Sequence, residues 1–293
     1  KAFIYEHFEL PEKVEYEMIK ANDMYDYIGK MWNVLQKEMT PSSPYSTLIA
    51  LPKDHIVPGG RFRECFYWDS YFTAIGLEVS GKIDLIKDMA INFAYLIEQF
   101  GFIPNGNRAY FASRSQPPYF SHLLMLLYES KEKPFALSML SALEKEYGYW
   151  MKNAAVLKDD LHLNHYFDEN NFPRPEAFKR EVALSKQSFD PNFFKHLRSA
   201  CASGWDFSSR WLGDQKTFET IHALDILPVD LNCLLYHMEN TLALFSKENG
   251  LDAKSYEKAA KVRKTAIQKL FWKKDFFFDY HIKAKSHTQV YSL

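Results

Sequence analysis

Cysteine is nearly missing from these 293 residues: Cys65, Cys201 and Cys233 are odd in number and widely spaced. They offer neither a disulfide framework nor a zinc-ligand spacing, and they tilt the expected compartment toward a reducing one. Glycine (11) and proline (13) are too sparse for fibrous or low-complexity classes. Neither sign of charge dominates, with 36 Lys+Arg against 37 Asp+Glu. Neutralising phosphates needs a basic excess or face, so nucleic acid is not an expected partner. An acidic disordered tail is excluded as well. No apolar run approaches the ~18–20 residues that span a bilayer, so no membrane partner is expected. No charged-then-apolar leader opens the chain; the first residues, KAFIYEHFEL, read as folded chain, and the sequence is expected to begin inside a longer protein. A Gly-rich strand-to-helix turn is missing, which argues against dinucleotide and P-loop folds. His162 and His165 stand three apart with no nearby cysteine and no H-E-x-x-H pattern, so no metal is expected. Ser203-Gly204 is not a nucleophile elbow, and Cys65 reads as a packed thiol.

Aromatic residues, in contrast, are plentiful at 16%: 24 Phe, 18 Tyr and 6 Trp. They serve large cores, or clefts that stack rings and sugars. The dominant apolar period is helical. Val14, Met18, Ala21, Tyr25, Ile28, Trp32 and Leu35 predict one long helix ending at Thr40-Pro41. Ile83, Ile86, Ala90, Phe93 and Ile97 predict a second, stopped by Gly101. Phe120, Leu123, Leu124 and Leu127 mark a third. Pro134 opens a fourth that buries Leu140, Leu143, Tyr147 and Trp150. Asp230 is expected to cap a fifth, carried by Leu231, Leu234, Leu235, Met238 and Leu242. Tyr256, Ala259, Ala260, Ile267 and Leu270 form a sixth, and a shorter helix follows from Trp68 to Leu77. Long loops at 41–66, 101–118, 160–178 and 188–215 separate them; loops this long are usually functional. Near the end, Phe276, Phe278, Tyr280 and Ile282 alternate with Phe277, Asp279, His281 and Lys283 as a strand, with Gln289-Val290-Tyr291 returning as a hairpin. The expected architecture is all-α, built from antiparallel helix pairs in a single domain over residues 1–293.

Four segments could carry chemistry. PGGRFRECFYWDSY, Pro58 to Tyr71, presents Arg61 and Glu64 and then aromatics around Asp69. Trp68 beside Asp69 suits a sugar, the ring stacking on a pyranose face while the carboxylate accepts hydroxyl hydrogen bonds. The structural alternative is a turn and helix start with Arg61 and Asp69 paired. SGWDFSSRW places Asp206 between Trp205 and Phe207. An aspartate pressed against aromatics loses water, and its raised pKa suits a general acid; the alternative is a helix-start Asp paired with Arg210. IPNGNRAYFASRSQPP offers Asn105, Asn107, Arg108, Arg114, Ser115 and Gln116, amides and guanidinium forks that suit sugar hydroxyls, or merely a solvated turn. In Arg174-Pro175-Glu176, Glu176 is a candidate binder or a first-turn charge alone.

PGGRFRECFYWDSY resembles the first trehalase signature, P-G-G-R-F-x-E-x-Y/F-x-W-D-x-Y, with Phe66 where tyrosine is commoner. IPNGNRAYFASRSQPP and SGWDFSSRW resemble trehalase segments in the right order, in the style of the bacterial enzymes. The resemblance implies an (α/α)6 barrel, hydrolysis of α,α-trehalose to two glucoses with inversion, and no cofactor. By position, Asp206 resembles the general acid. Arg61, Trp68, Asp69, Asn105, Arg114, Ser115, Gln116, Arg174, Pro175, Glu176 and Gly204 match glucose-pocket positions, with Pro175 and Gly204 alternatively shaping the backbone. The implied partners are trehalose and water, acting on a monomer.

The chain also departs from the family. It has no Q-W-D-x-P-x-G-W signature, no glycine-rich lid with the late general-base glutamate, and no D-S-K-T-F-x-D stretch. The six long helices fall short of a closed barrel, so a partial domain is expected, with a small β-hairpin near the C-terminus. Alternative functions are a non-catalytic sugar-binding remnant or a related α-glucosidase on the same barrel. Cytoplasmic placement is expected, with a periplasmic one as the alternative if a leader is missing.

Overall fold

A computed structural model describes residues 2–7, 19–39, 41, 43–152, 154–157 and 161–290. Contacts divide the chain into two units, Lys1–Leu35 and Gln36–Leu293.

The first unit holds α1 (Ala2–His7) and α2 (Met24–Leu35). Tyr25, Ile28, Trp32 and Leu35 recur at the expected spacing in α2. Ala21 precedes the helix, and the predicted Val14, Met18 and Thr40 lie outside the described residues. Asp26, in the first turn of α2, accepts a hydrogen bond from Lys30 Nζ at 2.8 Å. The predicted helix ends earlier than Thr40-Pro41, because Gln36–Lys37 leaves the helical path as a strand.

In the second unit that strand, β1, pairs antiparallel with β2 (His55–Ile56). Then come α3 (Tyr67–Val79), α4 (Ile83–Phe100), α5 (Phe120–Glu129), α6 (Lys133–Ser138) and α7 (Leu140–Lys152). The hairpin β3 (Ala154–Leu157) and β4 (Leu161–Asn164) follows. After it lie α8 (Phe178–Ser185), α9 (Phe193–Cys201), β5 (Ile226–Leu227), α10 (Val229–Glu248) and α11 (Lys254–Leu270). The chain turns through β6 (Trp272–Lys273), β7 (Phe276–Phe277), β8 (Tyr280–His281) and β9 (Ser286–His287). The all-α class holds, with small antiparallel sheets added.

Consecutive helices α3–α4 and α10–α11 pack against each other across short connections, which makes them antiparallel pairs. Gly101 ends α4 in the left-handed region at φ 80°, and its N–H reaches the Ile97 carbonyl. Leu77, Ile86, Met89, Phe93, Phe120, Leu123, Leu124, Leu127, Leu143, Leu235, Met238 and Leu242 are all buried. Each such side chain stabilises the fold by roughly 1.5–3 kcal/mol.

Several elements differ from expectation. The fourth predicted helix is two, α6 and α7, broken at Met139. Asp230 does not cap α10. Pro228 is the cap, and Asp230 sits in the first turn, where its carboxylate accepts from Arg210 Nη2 at 2.9 Å. The predicted strand over 276–282 is split: β7 pairs with β6, while β8 lies between β5 and β9. The hairpin return is thus Ser286–His287 and not Gln289-Val290, and Tyr291 lies outside the described residues.

The four long loops are tied to one another. Asn105 N–H donates to the Arg114 carbonyl at 2.9 Å, and Tyr67 N–H to the Asn105 carbonyl at 3.3 Å. Arg114 and Asp168 form an isolated antiparallel bridge. With a hydrogen bond from Asn105 Nδ2 to the Cys201 carbonyl, this bonding brings residues from four segments of sequence to one place.

Candidate active site

The helix start at Tyr67 sets the first wall. Gln116 Oε1 accepts from Trp68 N–H at 3.0 Å, which gives the first turn of α3 a side-chain partner from the 101–118 loop. Asp69, in the same turn, has its pKa raised by burial, against the pull of its own backbone N–H. Asn105 is buried, and its Nδ2 donates to the Cys201 carbonyl at 3.3 Å, which links the loop to the end of α9. Ser115, also buried, donates to the Ile103 carbonyl at 2.7 Å and so fixes the loop segment carrying Arg114.

Past α9 the backbone turns at Gly204, with φ 72°. A Cβ there would lie 2.6 Å from Trp68 Cε2. Glycine is therefore required twice, for its backbone angle and for the indole lying against it. The turn places Asp206 beyond Trp205. Asp206 stays open to solvent, yet the protein packed around it withdraws enough water to raise its pKa, while Arg174 and Arg114 pull it down and Glu176 pushes it up.

The cations are held by carboxylates. Arg114 is buried; its Nη2 donates to Glu176 Oε1 at 3.1 Å, and Nη1 lies 3.7 Å from Asp168 Oδ2. Arg174 Nε donates to Glu181 Oε1 at 2.5 Å, and its Nη1 lies 3.8 Å from Glu176 Oε1. The Arg174 guanidinium also lies over the Phe207 ring at 5.5 Å, which brings it to the residue next to Asp206. Pro175 opens a short 3-10 turn, Pro175–Ala177, which carries Glu176.

The structure thus brings together Trp68, Asn105, Arg114, Ser115, Gln116, Arg174, Glu176 and Gly204 through named contacts, and Asp206 joins them through the charges of Arg174, Arg114 and Glu176. Pro175 joins them through the backbone, and Asp69 as the neighbour of Trp68. Arg61 stands apart: its exposed guanidinium lies over the Phe62 ring at 5.1 Å. The alternative pairing of Asp206 with Arg210 does not occur. Arg210 makes two hydrogen bonds to Asp279, each at 2.9 Å.

Sequence reasoning missed the supports. Asp168 is fully buried and accepts from Arg198 Nε at 3.0 Å and from Ser113 Oγ at 3.0 Å. No spacing could pair Asp168 with Arg198, thirty residues away. Glu181, in α8, follows Arg174 by seven residues, but Arg174 lies in extended backbone ahead of the Pro175–Ala177 turn, so no helical spacing discloses the pair. Behind the site Tyr67 donates to Glu146 Oε1 at 2.6 Å and accepts from Phe120 N–H at 2.8 Å. Burial pushes the Glu146 carboxyl up to about 8. Among the described residues no group of three or more His, Cys, Asp or Glu is placed to hold a metal ion.

The trehalase family model matches residues 5–293. The periplasmic trehalase of Escherichia coli O1:K1 is 39% identical over 304 residues, covering 96% of this chain and 54% of that protein. The periplasmic trehalase of Citrobacter koseri is 39% identical over 305 residues, covering 97% and 53%. The chain spans about half the length of the curated relatives it matches. Among solved structures, the neutral trehalase of Saccharomyces cerevisiae superimposes with a TM-score of 0.69 at 25% identity, covering 92% of this chain and 57% of that one. These bacterial relatives are periplasmic trehalases, which overturns the cytoplasmic expectation. The site motifs are shared between compartments, and three cysteines carry too little information to choose one. With its motifs folded into one cluster and its backbone following a solved trehalase, the chain belongs to the trehalase family.

Proposed function

We propose that this chain is the part of a periplasmic α,α-trehalase that supplies the general acid and much of the sugar pocket. The supporting observation is Asp206: a carboxyl with a pKa raised by its surroundings, bordered by Arg114, Arg174 and Glu176 from two other segments.

In this reading Asp206 holds a proton and gives it to the bridging oxygen as the glycosidic bond breaks. The leaving glucose departs with that proton. Water attacks the anomeric carbon from the opposite face, and its proton passes to a second carboxylate about 6.5–9.5 Å from the acid. Residues outside 1–293 supply that carboxylate. Glu176 is committed to Arg114, and Asp69 sits beside Trp68, so both act as sugar binders. Arg114 and Arg174 hold sugar hydroxyls as rigid donor forks. Trp68, braced by Gly204, offers a ring face to a pyranose. Arg61, exposed on its loop, reaches the substrate from the rim. The catalytic domain includes residues 1–293 and works as a monomer without cofactor.

Proton NMR of the first turnover, in the enzyme carrying this chain, tests the reading. Inversion yields one β-glucose and one α-glucose per trehalose. Two α-glucoses, or faster turnover of maltose than of trehalose, would refute it.

A further inference from the structure

Next to the Asp206 loop lies a separate concavity of about 280 Å³, between the β6–β7 hairpin and the start of α10. Three of its walls are large rings left in water: Trp205, Trp272 and Phe277 are 39%, 46% and 39% exposed. Single exposed rings are ordinary, but three facing one hollow mark a binding surface. The rings are held in place. Trp272 and Phe277 are cross-strand partners with centroids 4.7 Å apart.

The polar part of the hollow is equally fixed. Asp230 Oδ1 accepts from Arg210 Nη2 at 2.9 Å, and Oδ2 from Tyr166 Oη at 3.0 Å. Arg210 is clamped by Asp279 and is buried. Each Asp230 oxygen keeps a further lone pair, and the side chain remains 32% exposed. Asp275, on the turn between the two strands, adds a second carboxylate to the lining.

This chemistry narrows the ligand. Two carboxylates repel an anion, and the Arg210 cation in the lining opposes a metal ion. A neutral polyol with an apolar face fits both features: its C–H face stacks on indole while its hydroxyls donate to carboxylates. The volume lies at the lower edge of the ~300–1,000 Å³ common for small-molecule sites, which favours one ring over two. Trp205 lines the hollow and directly precedes Asp206, so the hollow adjoins the acid.

We propose that this hollow is a subsite for one hexopyranose of the glucose class, which receives the sugar released at Asp206. The choice of sugar rests on reading the Asp206 cluster as a sugar-processing site; the stacking geometry does not.

Equilibrium dialysis of the enzyme carrying this chain against glucose tests the proposal. Trp272→Ala is expected to remove one bound glucose per chain, or to weaken that binding at least 10-fold. Trp272→Phe, which keeps a ring, is expected to restore most of it, and Asp275→Asn to weaken it several-fold. Circular dichroism of each variant checks that it folds. Folded Trp272→Ala binding glucose with wild-type stoichiometry and affinity would overturn the subsite. Asp206→Asn in the enzyme carrying this chain separates this result from the catalytic reading, because it is expected to keep the Trp272-dependent glucose. Wild-type trehalose turnover in Asp206→Asn would defeat the catalytic reading and leave the subsite standing. Lost turnover beside Trp272-independent glucose binding would do the reverse.

Discussion

Gly204 and the Trp68 indole are in such close register that a methyl group on Gly204 would sit 2.6 Å from Cε2. The backbone angle of 72° would strain any side chain there as well. Gly204→Ala is therefore expected to displace the indole and to destabilise the fold by about 1–3 kcal/mol. Urea unfolding and trehalose titration check this. Both should worsen together, and an unchanged unfolding midpoint would show that the loop yields without cost.

Glu146 should make stability depend on pH. Its carboxyl stands at about 8, against an ordinary value of 4.5. Burial raises it, while the hydrogen bond from Tyr67 and the nearby Trp150 indole, which falls outside hydrogen-bond geometry, pull it back. The folded state thus keeps a proton that the unfolded chain has released. The stabilisation is full below about 4.5 and drains as pH rises toward about 8, at roughly 1.4 kcal/mol per pH unit. Glu146→Gln removes this drain while keeping an acceptor for Tyr67. Denaturant midpoints of the two proteins should diverge between pH 5 and 8 in favour of the variant; parallel curves would contradict the assignment.

The Arg198–Asp168 pair should be structural in effect. Both side chains are buried, and Asp168 also faces Arg114. Arg198→Met leaves a buried carboxylate short of its strongest partner, at a cost of about 3–5 kcal/mol. Asp168→Asn with Arg198→Met should recover part of that loss. A double variant no more stable than Arg198→Met would show that the two charges are not coupled.

Much of this fold was legible as apolar spacing. The stripe from Ile83 to Ile97 and the stop at Gly101 appear as read, because α4 buries one continuous face. α9 escaped because its buried face carries His196, Arg198 and Ser199 beside Leu197, and charge at a core position hides the period. In the β3–β4 hairpin Ala154–Leu157 is apolar throughout and only the four residues Leu161–Asn164 alternate, and the break at Met139 has no proline or glycine to announce it. The residues of the candidate site could be named from their motifs, and the fold brings most of them together. Its supports, Asp168, Glu181, Arg198 and Glu146, could not be named in that way. Each is defined by a partner in another element, and single-sequence spacing does not disclose such pairings.

Proton donation by Asp206 is tested most directly by Asp206→Asn in the enzyme carrying this chain. Turnover of trehalose should fall about 10²–10⁴-fold with unfolding unchanged. The wild-type loss of rate as pH climbs through the raised pKa of Asp206 should also vanish from what activity remains. A variant that retains both the rate and that alkaline limb would show that the proton comes from elsewhere.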